Sequence, residues 1–443
     1  MGIGIVKTTK GLIKGIDRNN YTEFRGIRYA KAPVGELRFK RPKEVDAWDG
    51  IYSADKFSAT SMMSDNESGS FYKKEFYTNQ DYITPCSEDS LFLNIWTPAK
   101  SDKEKLPVAF WIHGGAFLGG YGHEVAFDGE EYCKRDVILV TINYRLGAFG
   151  FLAHPWLNQE DEDGVSGNYG IFDQIAALKW VYENISAFGG DPDRITIMGQ
   201  SAGSMSVQAL CSTELTGDMI KGAIFQSGGG YDTGINRDVA LEEAMEIGKT
   251  FVAKTGVSSL EELRALDECT LLKYSGELVG DSFKSGKGLP YGPNIDNVLL
   301  TDGYHKLMDK GNVKDIPYMV GSTKNDIFIT PEMIEKEELG SLYHGCINWS
   351  LAQEKLGRNP AYVYYFTRQL PGDDAGAFHS SELWYMFGTL GRCWRPMEEH
   401  DYKLSRQMLD YWTNFIKTGD PNGECTDKWL PCTKENAVVK VIS

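Results

Sequence analysis

The run Arg194-Ile-Thr-Ile-Met198, followed at once by Gly199-Gln200-Ser201-Ala202-Gly203 and then an apolar stretch through Leu210, constrains this chain more than any other feature. Alternating apolar residues predict a buried strand, and the residues from Ser201 onward predict a helix. A serine held between a strand end and a helix start sits on a sharp turn. Only small neighbours allow chains to pass that closely, and Gly199, Ala202 and Gly203 satisfy this. The helix that follows aims its positive N-terminal end at whatever reacts with the serine. A glycine-flanked turn without chemistry is the alternative, and the strand-to-helix context weighs against it.

Two further apolar runs predict the centre of a sheet covered on both faces: Pro107-Val-Ala-Phe-Trp-Ile112 and Val137-Ile-Leu-Val-Thr-Ile142. Between them and Arg194, residues 170–188 carry Ile171, Ile175, Leu178 and Val181 at helical spacing, closed by Gly189-Gly190-Asp191-Pro192. Ile316 to Val320 and Ala361 to Phe366 predict two later strands. Strand, helix and strand in succession imply a mostly parallel, twisted sheet flanked by helices. We expect one catalytic domain over residues 1–443, with N-terminal strands in about the first 50 residues and a charged helical excursion over about 237–310.

The 443 residues carry a net charge of −16, which disfavours nucleic acid and anionic membranes as partners. No apolar run reaches membrane-span length. The first residues lack a secretion signal, so a soluble cytoplasmic protein, monomeric or a small homo-oligomer, is expected. The eight cysteines show no zinc spacing and read as mostly buried thiols, with Cys425 and Cys432 unbridged.

His113-Gly114-Gly115-Ala116-Phe117 follows an earlier strand. Small residues there let backbone N–H groups approach a developing oxyanion, and we assign Gly115, Ala116 and Ala202 as donors. A serine hydroxyl needs a base, placed C-terminal to it with an acid between them. His305, His344, His379 and His400 qualify by position, and His379 stands just after the strand ending at Phe366. Asp326, in the loop after Val320, is the candidate acid, with Asp315 second.

With these residues identified, the chain resembles the type-B carboxylesterases, the cholinesterase-like branch of the α/β hydrolases that includes bacterial para-nitrobenzyl esterases. The likeness runs nearly end to end. It covers Phe24-Arg-Gly-Ile-Arg-Tyr-Ala30 with Gly35-Glu-Leu-Arg-Phe39, and Ser87-Glu-Asp-Ser-Leu-Phe-Leu-Asn-Ile-Trp96. It continues through Asn143-Tyr-Arg-Leu-Gly147, Gly167-Asn168, Asp173-Gln174, Phe188-Gly-Gly-Asp-Pro192 and the Ser201 elbow. Trp412-Thr-Asn-Phe415 and Thr418-Gly-Asp-Pro-Asn422 close it.

The resemblance implies an α/β-hydrolase fold with a reduced helical cap, and a serine esterase with Ser201 as nucleophile, Asp326 as acid and His379 as base. It implies the same oxyanion donors, a supporting role for Ser227, and structural ion pairs Arg38–Glu88 and Arg145–Asp173, partly buried and not catalytic. It implies an ester as small-molecule substrate, and neither metal nor organic cofactor.

Departures are informative. Gln200 stands where the family often has Glu, Ser90 where many members have Cys, and Ile327 where Gly usually follows the acid. Acid and base lie only 53 positions apart, so a shorter insertion and a wider mouth are expected. Phe117, Tyr121, Trp384, Tyr385 and Phe387 are candidates for an aromatic pocket, with a core role equally open. Small to medium uncharged acyl or aryl esters are the expected substrates. A non-catalytic binding protein on this fold and an acyltransferase are the alternatives.

Overall fold

The computed structural model describes residues 2–64, 70–424 and 426–443. Its centre is a ten-stranded sheet. From one edge the strands run Lys440–Ile442, Tyr362–Phe366, Tyr318–Thr323, Gly222–Gln226, Gly190–Gln200, Leu106–Ile112, Ile138–Ile142, Phe92–Thr97, Thr22–Arg28 and Ile16–Asp17. Neighbours from Lys440–Ile442 through Ile138–Ile142 pair in parallel, and the last three strands add on antiparallel. A second, three-stranded sheet joins Ile5–Lys7, Leu12–Lys14 and Ile51–Ser53.

The parallel strands read as continuous apolar runs because both faces are covered: Val108, Phe110 and Ile112 belong to one buried cluster, Ala109 and Trp111 to the other. Helix Tyr169–Asn184 continues as a 3-10 turn Ile185–Phe188 and stops at Gly189, whose φ of 80° is left-handed. The strand carrying the elbow then starts at Gly190, earlier than the apolar pattern at Arg194 predicts, because Leu106 pairs with Gly190. The charged excursion holds helices Leu241–Thr255, Leu260–Ala265, Glu268–Lys284 and Tyr304–Asp309. Between Asp326 and His379 lie helices Pro331–Glu335 and Ser341–Lys355.

Both expected ion pairs form, and both are more deeply buried than predicted. Arg38 chelates Glu88 and also donates to the carbonyls of Arg264 and Leu266, tying the opening segment to the excursion. Arg145 meets Asp173 through two bonds of 2.8 Å, with both side chains almost fully enclosed. Removing one partner of such a pair strands the other charge away from water. Asp173→Ala should therefore cost about 3–5 kcal/mol in denaturant unfolding; a loss below about 1 kcal/mol would mean that Arg145 finds solvent in the variant.

Cys133, Cys211, Cys346 and Cys432 are buried thiols, Cys393 is half-buried, and Cys86 and Cys269 are exposed. Cys425 lies outside the described residues. Among the described residues no helix is long and apolar enough to cross a membrane.

Candidate active site

Ser201, the turn from His113, Asp326 and His379 all follow the C-terminal ends of neighbouring parallel strands, the edge where open α/β sheets bind ligands. Ser201 follows Gly190–Gln200 directly and has φ 56° and ψ −126°, a conformation costly for any residue with a Cβ. Its N–H bonds to the Gln226 carbonyl of the next strand at 2.8 Å, which helps hold the turn. The glycines are there for space. A Cβ on Gly203 would lie 2.1 Å from the Ile112 carbonyl oxygen, and one on Gly199 would lie 2.5 Å from the Gly203 backbone.

The neighbouring strand Leu106–Ile112 delivers the turn from His113 onward over the serine. A Cβ on Gly114 would lie 3.0 Å from the Cβ of Ser201. Ala116 and Phe117 both adopt positive φ, and the turn is closed by the N–H groups of Leu118 and Gly119 donating to the Gly115 carbonyl. Among the described residues the N–H groups of Gly115, Ala116 and Ala202 donate to no protein acceptor. Donors left open beside a nucleophile suit a developing oxyanion. His113 is packed flat on Tyr144, and burial pushes its pKa down to about 4, so it is neutral.

On the other side, Asp326 follows Tyr318–Thr323 and His379 follows Tyr362–Phe366. Asp326 Oδ1 accepts from His379 Nδ1 at 2.5 Å, and its Oδ2 accepts from Ser227 Oγ at 2.7 Å and the Thr323 N–H at 3.0 Å. Burial alone would raise the Asp326 pKa, but the imidazole and these donors outweigh it and hold the carboxyl below its ordinary value. Burial alone would lower His379; the Asp326 carboxylate outweighs that and raises it. With Nδ1–H committed to Asp326, His379 Nε2 is left as an acceptor, and it faces the Gln200 side-chain amide at 3.1 Å.

The rival groups are elsewhere. His305 pairs with Asp232 at the surface, His344 and His400 are exposed, and exposed Asp315 lies 3.9 Å from Arg358. The five aromatics near the signatures are buried and pack against other core side chains. Phe117 packs on Phe151, Tyr121 on Tyr77, and Phe387 on Trp111. Trp384 stacks on Phe76, and Tyr385 donates to Asp401. All five rings are buried.

Sequence reasoning passed over Glu382, three residues after His379 and fully buried. Burial and the Asp326 charge push its pKa up to about 7. Its only sequence signal is a carboxylate at the head of the apolar run Leu383-Trp-Tyr-Met-Phe387. Asn325 was also passed over: its N–H and side-chain oxygen bond both ways with the backbone of Ala377, aligning the acid loop with the base loop. Among the described residues no group of three or more His, Cys, Asp or Glu is arranged to hold a metal ion.

The model of the carboxylesterase family matches residues 4–344 and 339–442. The para-nitrobenzyl esterase of Bacillus subtilis (strain 168) is 32% identical, over 96% of this chain and 91% of its own. The fumonisin B1 esterase of Sphingopyxis macrogoltabida is 30% identical, over 95% of this chain and 83% of its own. Among solved structures, a thermophilic para-nitrobenzyl esterase superposes with a TM-score of 0.86 at 30% identity, covering 99% of this chain and 95% of that one. The carboxylesterase of Geobacillus stearothermophilus does so with a TM-score of 0.81 at 32% identity, covering 99% and 96%.

Proposed function

Since the chain belongs to the carboxylesterase family and is a carboxylic ester hydrolase of the α/β-hydrolase fold, we propose that it works through an acyl-enzyme on Ser201. The observation that carries this reading is the 2.5 Å bond from His379 Nδ1 to a buried Asp326 at the sheet edge where Ser201 turns. In the first half-reaction Ser201 Oγ attacks the ester carbonyl while His379 Nε2 takes its proton. Asp326 stabilises the imidazolium that forms. The carbonyl oxygen, now an anion, moves into the N–H groups of Gly115, Ala116 and Ala202. His379 returns the proton to the departing alcohol, and water then repeats the sequence on the acyl group.

The substrates we propose are small to medium uncharged acyl or aryl esters. Gln200 puts a neutral amide, not a carboxylate, beside the base, so nothing at that position rewards a cationic substrate, and the net charge of −16 opposes anionic ones. Hydrolysis of para-nitrophenyl acetate, butyrate and octanoate by wild type and Ser201→Ala tests this. Turnover falling steadily from acetate to octanoate supports the size class; turnover of none of the three would sink it.

The base must be neutral to act, so kcat/KM should be fully present above the His379 pKa and fall as pH drops through it. Because Asp326 raises that pKa, the acidic limb should lie above the ordinary imidazole value. Gln200→Glu places a second carboxylate against Nε2 and should move the limb to still higher pH. A pH–rate profile in which the limb stays put would show that position 200 does not face the working imidazole.

A further inference from the structure

The helix Phe71–Phe76 precedes the active-site elements by a long stretch of chain, yet it touches the base loop and its flank at several points. Tyr72 Oη donates to the His379 carbonyl at 3.3 Å. Phe71 packs edge-on against Phe378, the residue before the base, at 4.8 Å. The other face of that contact is held as well, since the Arg395 guanidinium lies 5.1 Å from the Phe378 ring.

Glu75 is the anchor of these contacts. Its carboxylate is almost wholly enclosed, and every donor on it comes from the segment after the base. Trp384 Nε1 donates at 3.0 Å, Trp394 Nε1 at 2.8 Å, and Arg395 Nε at 3.0 and 3.1 Å to the two oxygens. Arg395 then reaches across to the other flank of the loop, donating to Asp373 Oδ1 at 2.7 Å and to the Pro371 carbonyl at 3.0 Å. A buried carboxylate is expensive unless every lone pair is met, so this geometry is sharply defined. Just past the helix, Tyr77 Oη donates to buried Glu124 at 2.9 Å, and Glu124 also accepts from the Tyr121 N–H, at the end of the oxyanion turn.

We infer that the Phe71–Phe76 helix is a strap that fixes the His379 loop against the oxyanion turn, with Glu75 as a positioning residue for the base and Tyr72 as its direct contact. The inference rests on the reading of Ser201 and His379 as nucleophile and base. Asn325 holds the loop from the acid side; Glu75 and Arg395 hold it from the opposite side. A base that must lie within hydrogen-bond reach of two partners loses rate steeply when its loop shifts, while substrate affinity changes little.

The test compares wild type, Glu75→Gln, Glu75→Asp, Tyr72→Phe and Ser201→Ala on para-nitrophenyl butyrate, at a temperature where circular dichroism shows each folded. Glu75→Gln should lower kcat about tenfold or more with KM within about twofold, and Tyr72→Phe should lower kcat about two- to fivefold. As the Nδ1–Oδ1 bond loosens, the acidic limb of kcat/KM in Glu75→Gln should move to lower pH, and Glu75→Asp should recover part of both effects. Folded Glu75→Gln with wild-type kcat and an unmoved limb would overturn the inference. If Glu75→Gln does not fold, Tyr72→Phe decides: reduced kcat at unchanged KM supports the strap, and wild-type kcat overturns it. Turnover at a tenth or more of wild type in Ser201→Ala would instead overturn the nucleophile reading, a result distinct from any of these.

Discussion

Ser201→Ala should lower kcat by about 10⁵-fold or more while leaving the fold and KM nearly unchanged. The size follows from what the hydroxyl does. In the proposed mechanism no acyl-enzyme forms without it, and what survives is the general effect of the proposed oxyanion donors and of binding on direct attack by water. The fold should tolerate the change because the strain at position 201 resides in the backbone, at φ 56°, and alanine carries the same Cβ. Burst kinetics with a para-nitrophenyl ester check this: the rapid phase in wild type should vanish in the variant. A variant keeping a tenth or more of wild-type turnover would place the nucleophile elsewhere.

Asp326→Asn should cost about 10⁴-fold in kcat, although it changes a single atom. The carboxylate accepts the Nδ1 proton, which leaves Nε2, facing the Gln200 amide, as the ring's acceptor; in the proposed mechanism it takes the proton of Ser201. An amide at position 326 can donate to Nδ1 instead, which puts the ring proton on Nε2 and abolishes the base. Loss of the negative charge also removes what raises the His379 pKa, so any residual activity should show its acidic limb at lower pH. Ser227, whose hydroxyl donates to the same carboxylate, should matter much less. Asp326 keeps the Thr323 N–H and Ile327 N–H when that bond is lost. A drop below about tenfold in Asp326→Asn would mean that the imidazole is oriented by something else, and buried Glu382 is the other acid whose charge acts on it.

The parts of the site legible in the sequence were those whose chemistry is local. The Ser201 elbow is written in five consecutive residues, because strain and close passage are decided by immediate neighbours. The glycine-rich turn after Ile112 was legible for the same reason, and the central parallel strands because burial on both faces leaves an unbroken apolar run. Resemblance to the family supplied the pairing of Asp326 with His379, and of Arg145 with Asp173.

Other features have no local signature. Glu75 looks like one more acid in a charged stretch, Tyr-Lys-Lys-Glu, until folding brings Trp384 and Arg395 to it from more than 300 positions away. The five aromatics near the signatures were ambiguous for a related reason. A ring beside a turn can face a cavity or the core, and only the packing of Phe76 on Trp384, or of Trp111 on Phe387, decides. The strand Lys440–Ile442 exists because Tyr362–Phe366 offers it a free edge. The sequence by itself thus determined the candidate reacting groups and the sheet that presents them, since strain, small size and apolar runs act between neighbours in the chain. Which buried acid anchors the base loop, and which rings fill the core, was decided only by the tertiary structure, because desolvation and hydrogen-bond satisfaction depend on what is brought near from far along the chain.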